Sequence, residues 1–215
     1  MTPHFSASSL PTTLPVFPLA GALMLPRAEL PLNIFEPRYL AMVRDAMAGD
    51  RLIGMVQPKD DRDPPALYEV GGLGRITQFS ETGDGRFLIA LVGLTRFRID
   101  RELDVETPYR QVVADYVPFA ADWREPDPLP AAARADLETS LRHYLDTQGL
   151  SADWEAVAGA DDESLINTLT AVCPFDIAEK QALLEAAHLR DRAGVLAALM
   201  TFAPAARDEG GVTLH

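Results

Sequence analysis

The residue types that bind metals are few in this chain and far apart. Histidine occurs at four scattered positions, 4, 143, 188 and 215. No two of them have the spacing of a shared zinc site. Asp60, Asp61 and Asp63 are close together, but the sequence lacks the further oxygen donors and the closing glutamate of a calcium loop. We therefore predict no metal site and interpret residues 58–69 as a solvent-exposed acidic loop.

Side chains that could act as nucleophiles or bind phosphate are present, but they do not stand in the sequence motifs that such chemistry requires. There is no GxSxG motif, and the single cysteine, Cys173, falls on the apolar face of a predicted helix, where a buried thiol is usually inert. Neither lysine, Lys59 or Lys180, follows a glycine as in a phosphate-binding loop, and neither suits a Ser-Lys dyad. The glycines within 71–74 precede a predicted strand, which favours a bulge or tight bend. We predict no catalytic residue and no cofactor.

The composition narrows the classes of partner. The 215 residues include 32 Asp and Glu against 19 Lys and Arg, a formal net charge of -13. This acidic balance repels phosphate backbones, so we predict that nucleic acid is not the main partner. No apolar stretch approaches the ~20 residues needed to span a bilayer, so we predict no membrane association. One cysteine cannot close an intrachain disulfide, which is typical of a reducing compartment and favours the cytoplasm.

The first half of the chain has the pattern of β-strands. Short apolar runs separated by proline and glycine predict strands at 14–19, 29–35, 51–57, 74–80, 86–99 and 110–119. Because several carry prolines, which cannot donate to a strand ladder, we expect edges, ends or bulges and an open or partly closed barrel. Gly83 to Gly85 predict a hairpin turn. One helix interrupts the strands, from Glu36-Pro37 to about Ala48.

After residue 119 the apolar spacing becomes helical. The proline-rich and acidic segment 120–130 predicts a linker between a barrel subdomain at 13–119 and a helical bundle at 131–203. Asp176 and Glu179 form the capping-box pattern at the start of one helix. Residues 1–12 are expected to be a flexible tail, and 204–215 a disordered one.

Two blocks of sequence resemble a known family. The first is Phe35, Glu36, Pro37, Arg38 and Tyr39, preceded by Ile34; the second is Pro174, Phe175 and Asp176, followed by Glu179-Lys180-Gln181. With the runs YEVGGLGRI and GLTRFRI, they resemble the substrate-binding N-terminal domain of ATP-dependent Lon protease over about residues 13–202. The first block is also similar to a signature that stand-alone bacterial members share with the Lon-like region of cereblon.

This resemblance implies an α+β fold. A PUA-like pseudo-barrel of about six strands, with one inserted helix, would be followed by a C-terminal helical bundle. It also implies a non-enzymatic module that recognises proteins or peptides, and we expect the ATPase and protease domains to be lacking because the chain ends before either could begin. The implied partners are other polypeptides, including unfolded proteins or protease clients.

Five apolar residues are candidate peptide contacts: Leu30, Leu32, Tyr68, Phe119 and Trp123. They stand on the proline-marked strand, beside the acidic loop and near the subdomain junction. The motif residues also have structural explanations, since Glu36 and Pro37 suit a helix start, Arg38 an ion pair and Tyr39 packing. Asp176 suits a helix cap.

Two other functions stay open. RNA binding through the barrel would need a basic face with exposed aromatics, yet acidic residues interleave with the arginines over residues 75–104. A hydrolase with a site in the cleft between barrel and bundle would need a converged acid, base or nucleophile. Oligomeric state is open as well.

Overall fold

The structure is a computed structural model that describes residues 10–203, so the tails predicted for 1–12 and 204–215 lie mostly outside the described residues. The strands are β1 Thr13–Pro18, β2 Glu29–Ile34, β3 Leu52–Val56, β4 Val70–Glu81, β5 Phe87–Leu103 and β6 Gln111–Asp115. The α-helices are α1 Pro37–Ala48, α2 Ala131–Gln148, α3 Trp154–Gly159, α4 Asp162–Val172, α5 Ile177–Glu185 and α6 Leu189–Phe202. The predicted α+β class, with six strands, an inserted helix and C-terminal helices, is confirmed.

The six strands form one sheet in the order β2-β5-β4-β3-β1-β6, and an additional β5–β6 pairing closes part of it. Five strands, β5, β4, β3, β1 and β6, therefore make a ring. The long strand β5 makes this possible, because its first half pairs with β2 while its second half pairs with β6. The sheet is thus a partly closed barrel with β2 outside the ring.

The start of α1 and the turn between β4 and β5 form at the proline and glycine residues that predicted them. Pro37 occupies the start of α1, and Gly49 follows its end. The turn between β4 and β5 contains Gly85 at φ +81°, a left-handed conformation that glycine adopts without strain. The glycines at 71–74 lie inside β4 and do not precede it, and the register shift at Leu73/Gly74 is the irregularity that they suggested; a second shift lies at Ile76/Gln78.

Two apolar clusters fill the first half. One joins residues of all five ring strands, including Leu14, Leu52, Leu73, Phe97 and Val112. The other packs the inner face of α1 against the sheet, and a separate group of residues forms it: Tyr39, Met42, Val43, Ile53, Ile76, Phe87, Ile89 and Leu91. At ~25 cal/mol per Å² of buried apolar surface, such clusters are the main source of stability.

The structure groups the residues into two compact units. The first comprises the chain up to residue 126 together with 167–185, and the second comprises 127–166 together with the residues from 186 onward. The division therefore differs from the predicted split into 13–119 and 131–203, because α5 joins the strands. The reason is a buried amide network: Gln57 Nε2 donates to the Ile177 carbonyl and to Gln181 Oε1, at 3.0 and 3.1 Å, and Gln181 donates to Val70.

The first residues of the predicted linker at 120–130 belong to a short helix. A short 3-10 helix covers Val117–Trp123, and Phe119 and Asp122 in it are buried. The chain passes to the second unit after residue 126. There the helical apolar spacing places Leu137, Leu141 and Tyr144 on a buried face of α2.

Candidate functional site

The block Glu36–Tyr39 lies where the chain leaves β2 and enters α1. Glu36 is the N-cap residue, with an extended backbone, but its side chain makes no capping hydrogen bond. Its Oε2 instead accepts a hydrogen bond from Nε of Arg38 at 2.9 Å. Tyr39 is buried behind this pair, with its ring centroid 4.0 Å from that of Phe17.

Three other segments meet this block and enclose a cavity of about 630 Å³, which we name the motif cavity. Its lining residues are Pro18, Glu36, Pro37, Arg38, Tyr39, Pro58, Arg62, Asp63, Pro64, Pro65, Pro108, Tyr109 and Arg110. The volume falls within the roughly 300 to 1,000 Å³ of typical ligand pockets. All of these residues belong to the first unit.

Proline dominates this lining. Six of the thirteen lining residues are prolines, and a proline offers no backbone N–H. Proline also loses almost no side-chain entropy when a ligand orders its surroundings. The prolines therefore supply apolar surface without backbone donors, beside three arginine and two acidic side chains.

The two tyrosines of the cavity carry neutral phenols at physiological pH. The Tyr109 hydroxyl donates a hydrogen bond to Asp45 Oδ2 at 2.7 Å. Burial and this carboxylate together raise the pKa of Tyr109 to about 12. Burial also raises the pKa of Tyr39, against the opposing effect of the Arg38 guanidinium. The cavity thus presents two uncharged phenols.

Each of the three arginines in the lining is paired with a carboxylate. Arg38 binds Glu36, and Arg62 binds Asp60, whose pKa this hydrogen bond lowers. Arg110 binds Glu102 through two bonds of 2.6 Å. The Arg38 guanidinium also lies over the Tyr39 ring, 4.6 Å from its centroid. The positive charges are therefore largely offset before any ligand arrives.

A second depression, of about 380 Å³, is lined in part by other residues of the same loop after β3. It is lined by Lys59, Asp60, Asp61, Tyr68, Asp176, Ile177 and Ala178. Asp176 already acts as the predicted cap, since its Oδ1 accepts the Glu179 backbone N–H at 2.8 Å and Glu179 returns the contact. The Lys59 ammonium lies 5.5 Å from the Tyr68 ring centroid.

The five predicted contact residues do not meet at one place. Leu30 and Leu32 are half-buried against the cluster under α1, and Phe119 is buried in a separate cluster with Leu25 and Leu184. Trp123 packs on the ring cluster, and Tyr68 is half-buried beside the second depression. Their binding role stays a prediction.

The residues of the two motif blocks likewise lie in different surroundings. Phe35 is 61% exposed, with the Arg86 guanidinium 5.8 Å from its ring centroid. In the second block, Pro174 and Asp176 are exposed and Phe175 is half-buried. The first block therefore builds a cavity, whereas Asp176 in the second block caps a helix.

Sequence reasoning missed Tyr109 and Arg110. They stand about seventy residues after the motif, in the segment TPYR, which carries no catalytic or binding pattern. The prolines and aspartates of residues 58–69 predicted a solvent-exposed loop there. What the sequence lacked was any sign that this loop faces the motif.

Residues 10–203 contain neither a cluster of metal ligands nor a membrane-spanning helix. No group of three or more His, Cys, Asp or Glu side chains in this part of the chain could hold a metal ion. Within the same range, no helix has the length and apolar character to cross a membrane.

A family model for the substrate-binding domain of ATP-dependent protease La (Lon) matches residues 13–201. The chain belongs to this family. Lon protease 2 of Myxococcus xanthus is 29% identical over 193 residues, and Lon protease of Anaeromyxobacter dehalogenans is 28% identical over 194. Each match covers 85% of this chain but only 23% and 22% of the relative, respectively. The chain spans less than a quarter of these Lon proteases.

Two solved Lon structures have a similar fold. A Lon N-terminal domain protein from Xanthomonas campestris aligns with a TM-score of 0.62 and 25% identity, covering 87% of this chain and 98% of that one. The N-terminal domain of a Mycobacterium avium complex Lon protease aligns with a TM-score of 0.63 over 89% and 99%, at 17% identity. The second likeness concerns the fold alone.

Proposed function

We propose that this chain is a non-catalytic recognition module that binds exposed apolar segments of other polypeptides. Membership of the Lon substrate-binding domain family supports the class of partner. The observation that carries the proposal is the motif cavity, because the Glu36–Tyr39 block helps to line an open space of about 630 Å³. A polypeptide would insert one side chain there, while its backbone follows the rim.

The chemistry of the lining favours an uncharged side chain as guest. A carboxylate would need donors, but six lining residues are prolines and the guanidinium groups are engaged by Glu36, Asp60 and Glu102. Each guanidinium charge is already offset by its own carboxylate, so an anionic guest gains less here than it would beside an unpaired arginine. An apolar side chain does not depend on that charge and gains from the proline and tyrosine walls.

The same lining favours binding over covalent catalysis. Its residue types are proline, tyrosine, arginine, aspartate and glutamate only, and the Tyr109 hydroxyl is committed to Asp45. A hydrolase would need a nucleophile or an activated water beside a free base. RNA binding would need unpaired positive charge, which the paired arginines of the cavity do not supply.

The test is a titration of fluorescein-labelled peptides, followed by anisotropy. The probe is a twelve-residue Gly/Ser peptide with one central leucine, and the same peptide with central alanine is the reference. We expect saturable binding in the micromolar range that is about tenfold weaker for alanine, as a buried side chain worth ~1.4 kcal/mol would give. A labelled single-stranded RNA of twelve nucleotides is titrated in parallel at two salt concentrations.

A matched pair of variants places the site. Asp63→Trp would narrow the motif cavity, whereas Asp61→Trp makes the same change in the same loop but lines the second depression. We expect Asp63→Trp to abolish the preference for leucine and Asp61→Trp to leave it unchanged. Equal loss in both variants would remove the site from the motif cavity. Salt-sensitive RNA binding without peptide binding would overturn the proposed function.

A further inference from the structure

The wall of the motif cavity that faces the motif block is a loop, residues 58–67, that is closed on itself. Its base is held by the Lys59 backbone N–H donating to the Ala66 carbonyl at 2.7 Å, and by a bridge between Pro58 and Leu67. Inside the loop, Asp60 Oδ1 accepts the Ala66 backbone N–H at 3.1 Å. These bonds fix the shape of the loop without fixing its distance from the motif block.

The Pro64-Pro65 part of the wall has no amide donors of its own, whereas the neighbouring Arg62 backbone N–H donates to Asp60 Oδ1 at 3.3 Å. Pro64 and Pro65 are adjacent, and neither has a backbone N–H. The backbone hydrogen-bonding groups of this pair are therefore carbonyl oxygens. Any hydrogen bond that ties the backbone of this pair to the rest of the fold must therefore come from a donor elsewhere.

Arg110 supplies that donor. It stands just before β6, and its Nη1 donates to the Pro65 carbonyl oxygen at 2.7 Å. Its Nε and Nη2 donate to Glu102 Oε1 and Oε2, both at 2.6 Å, in the parallel two-bond geometry characteristic of arginine and carboxylate. The guanidinium thus joins the loop to β5, and its side chain is only 22% exposed.

We infer that Arg110 is the positioning residue of the motif cavity: it sets the distance of the Pro64-Pro65 wall from Tyr39 and Tyr109, and so decides which side chains are admitted. This inference rests on the proposed function. It assigns selectivity to a residue outside the motif block, in a segment without a recognisable sequence pattern.

The geometry singles out arginine over lysine. A planar guanidinium has five N–H donors in a fixed fork, so it can bind a carboxylate with one side and a carbonyl with another. A lysine ammonium is a point charge on a flexible stem and cannot keep both contacts in this geometry. Arg110→Lys therefore preserves charge while releasing the wall.

The experiment compares Arg110→Lys with Arg101→Lys. Arg101 also pairs with an acid on β5, but its contact with Asp100 is exposed and it does not line the motif cavity. The first readout is backbone amide hydrogen exchange of the loop, followed by mass spectrometry. We expect exchange of the 59–67 amides to rise by about threefold or more in Arg110→Lys only, because local opening controls exchange in weakly held segments.

The second readout is selectivity, which a merely structural role would not move. The guests are the central-leucine, central-tryptophan and central-glutamate forms of the labelled peptide. We expect the wild-type ratio of affinities for leucine over glutamate to fall by about fivefold in Arg110→Lys, close to ~1 kcal/mol. Arg101→Lys should keep the wild-type ratio.

The outcomes separate the two claims. If the wild-type protein binds none of the peptides, the proposed function is wrong, and so is this inference, because it depends on that function. If the wild type is selective and Arg110→Lys matches Arg101→Lys in exchange or in selectivity, the inference alone is overturned. Should Arg110→Lys lower the melting temperature markedly, Glu102→Gln replaces it, since it weakens the same clamp from the other side, and the same criteria apply.

Discussion

Arginines are used in two opposite ways within the first unit. Arg96 and Asp122 are both buried, and Nε and Nη2 of Arg96 bind the two carboxylate oxygens at 3.0 and 2.8 Å. Arg38 and Glu36, on the rim of the motif cavity, make a pair of similar length, but their side chains are 49% and 42% exposed. The two pairs differ in burial and in geometry, because Arg96 binds both oxygens of Asp122, whereas Nε and Nη2 of Arg38 both contact Oε2 of Glu36.

The difference follows from the surroundings of each pair. Asp122 also accepts the backbone N–H of Arg96, Nη1 of Arg96 donates to the Leu184 carbonyl, and the Phe119 ring lies 4.8 Å from the guanidinium. Every one of these contacts joins elements far apart in sequence. Around the cavity, Glu36 and Asp60 pair with arginines two residues away, so those pairs hold little of the fold.

The largest expected effect comes from breaking the buried pair. Asp122→Ala leaves Arg96 buried beside an empty carboxylate position, and removing one partner of such a pair typically costs ~3–5 kcal/mol. We expect a loss of that size in the free energy of unfolding, measured by urea titration with circular dichroism. Replacing both partners, Arg96→Met with Asp122→Leu, should recover most of it. A loss below about 1 kcal/mol for Asp122→Ala would mean that the buried pair stabilises the fold no more than an exposed pair does.

Two glycines allow a similar comparison for packing, because one lies in a crowded site and the other in an open one. A Cβ at Gly72 would overlap the Met24 carbonyl oxygen, whereas one at Gly83 would meet nothing within 4 Å. We expect Gly72→Ala to lower the free energy of unfolding by ~2–3 kcal/mol, because overpacking against backbone cannot be relieved by a side-chain rotation. Gly83→Ala should change it by less than ~0.5 kcal/mol in the same urea titration. Similar values for the two variants would contradict this close approach.

Elements with local signals could be predicted from the sequence. Pro37 at a helix start, the glycines of the β4–β5 turn and the Asp176–Glu179 capping box each involve residues within a few positions. The interactions that form each of these features involve residues close together in the sequence, so a short stretch of sequence is enough to predict it.

Features that join distant segments were not predictable in the same way. The ring closes because β5 exceeds β2 in length and continues to β6, and α5 joins the strands because Gln57 meets Gln181, 124 residues later. The motif cavity is a feature of this second kind, since Tyr39 and Arg110 meet only in the folded chain. Of the site, the sequence could therefore mark the motif block but not the wall opposite it.

Two tyrosines allow the cavity and the ring interior to be compared by pH. Tyr109 donates to Asp45 beside the cavity, and Tyr116 donates to the Pro11 carbonyl at 2.9 Å from the ring cluster. Burial is the main cause that raises both pKa values from 10.0 to about 12. The folded state therefore favours the protonated phenols, so their contribution to stability is complete below pH 10 and is lost as pH rises from 10 towards 12.

This loss can be assigned residue by residue. We expect the slope of unfolding free energy between pH 10 and 11, from urea titrations, to be less steep in Tyr109→Phe and in Tyr116→Phe than in the wild type. Phenolate absorbance in the folded protein should gain its last steps near pH 12. An unchanged slope in Tyr109→Phe alone would mean that the cavity phenol is hydrated more than its burial indicates.

The smallest effect on stability is expected at the rim, where selectivity should change instead. Glu36→Gln breaks an exposed pair, so the free energy of unfolding should change by less than ~1 kcal/mol. The same change leaves the Arg38 guanidinium without its carboxylate beside the cavity. Affinity for the central-glutamate peptide should then rise by about two- to fivefold relative to the leucine peptide, the range of an exposed ion pair.

Asp100→Asn, which breaks the exposed pair with Arg101 away from the cavity, is the control and should leave this ratio unchanged. A loss of stability without a shift in selectivity would make Glu36 a structural residue like Asp122.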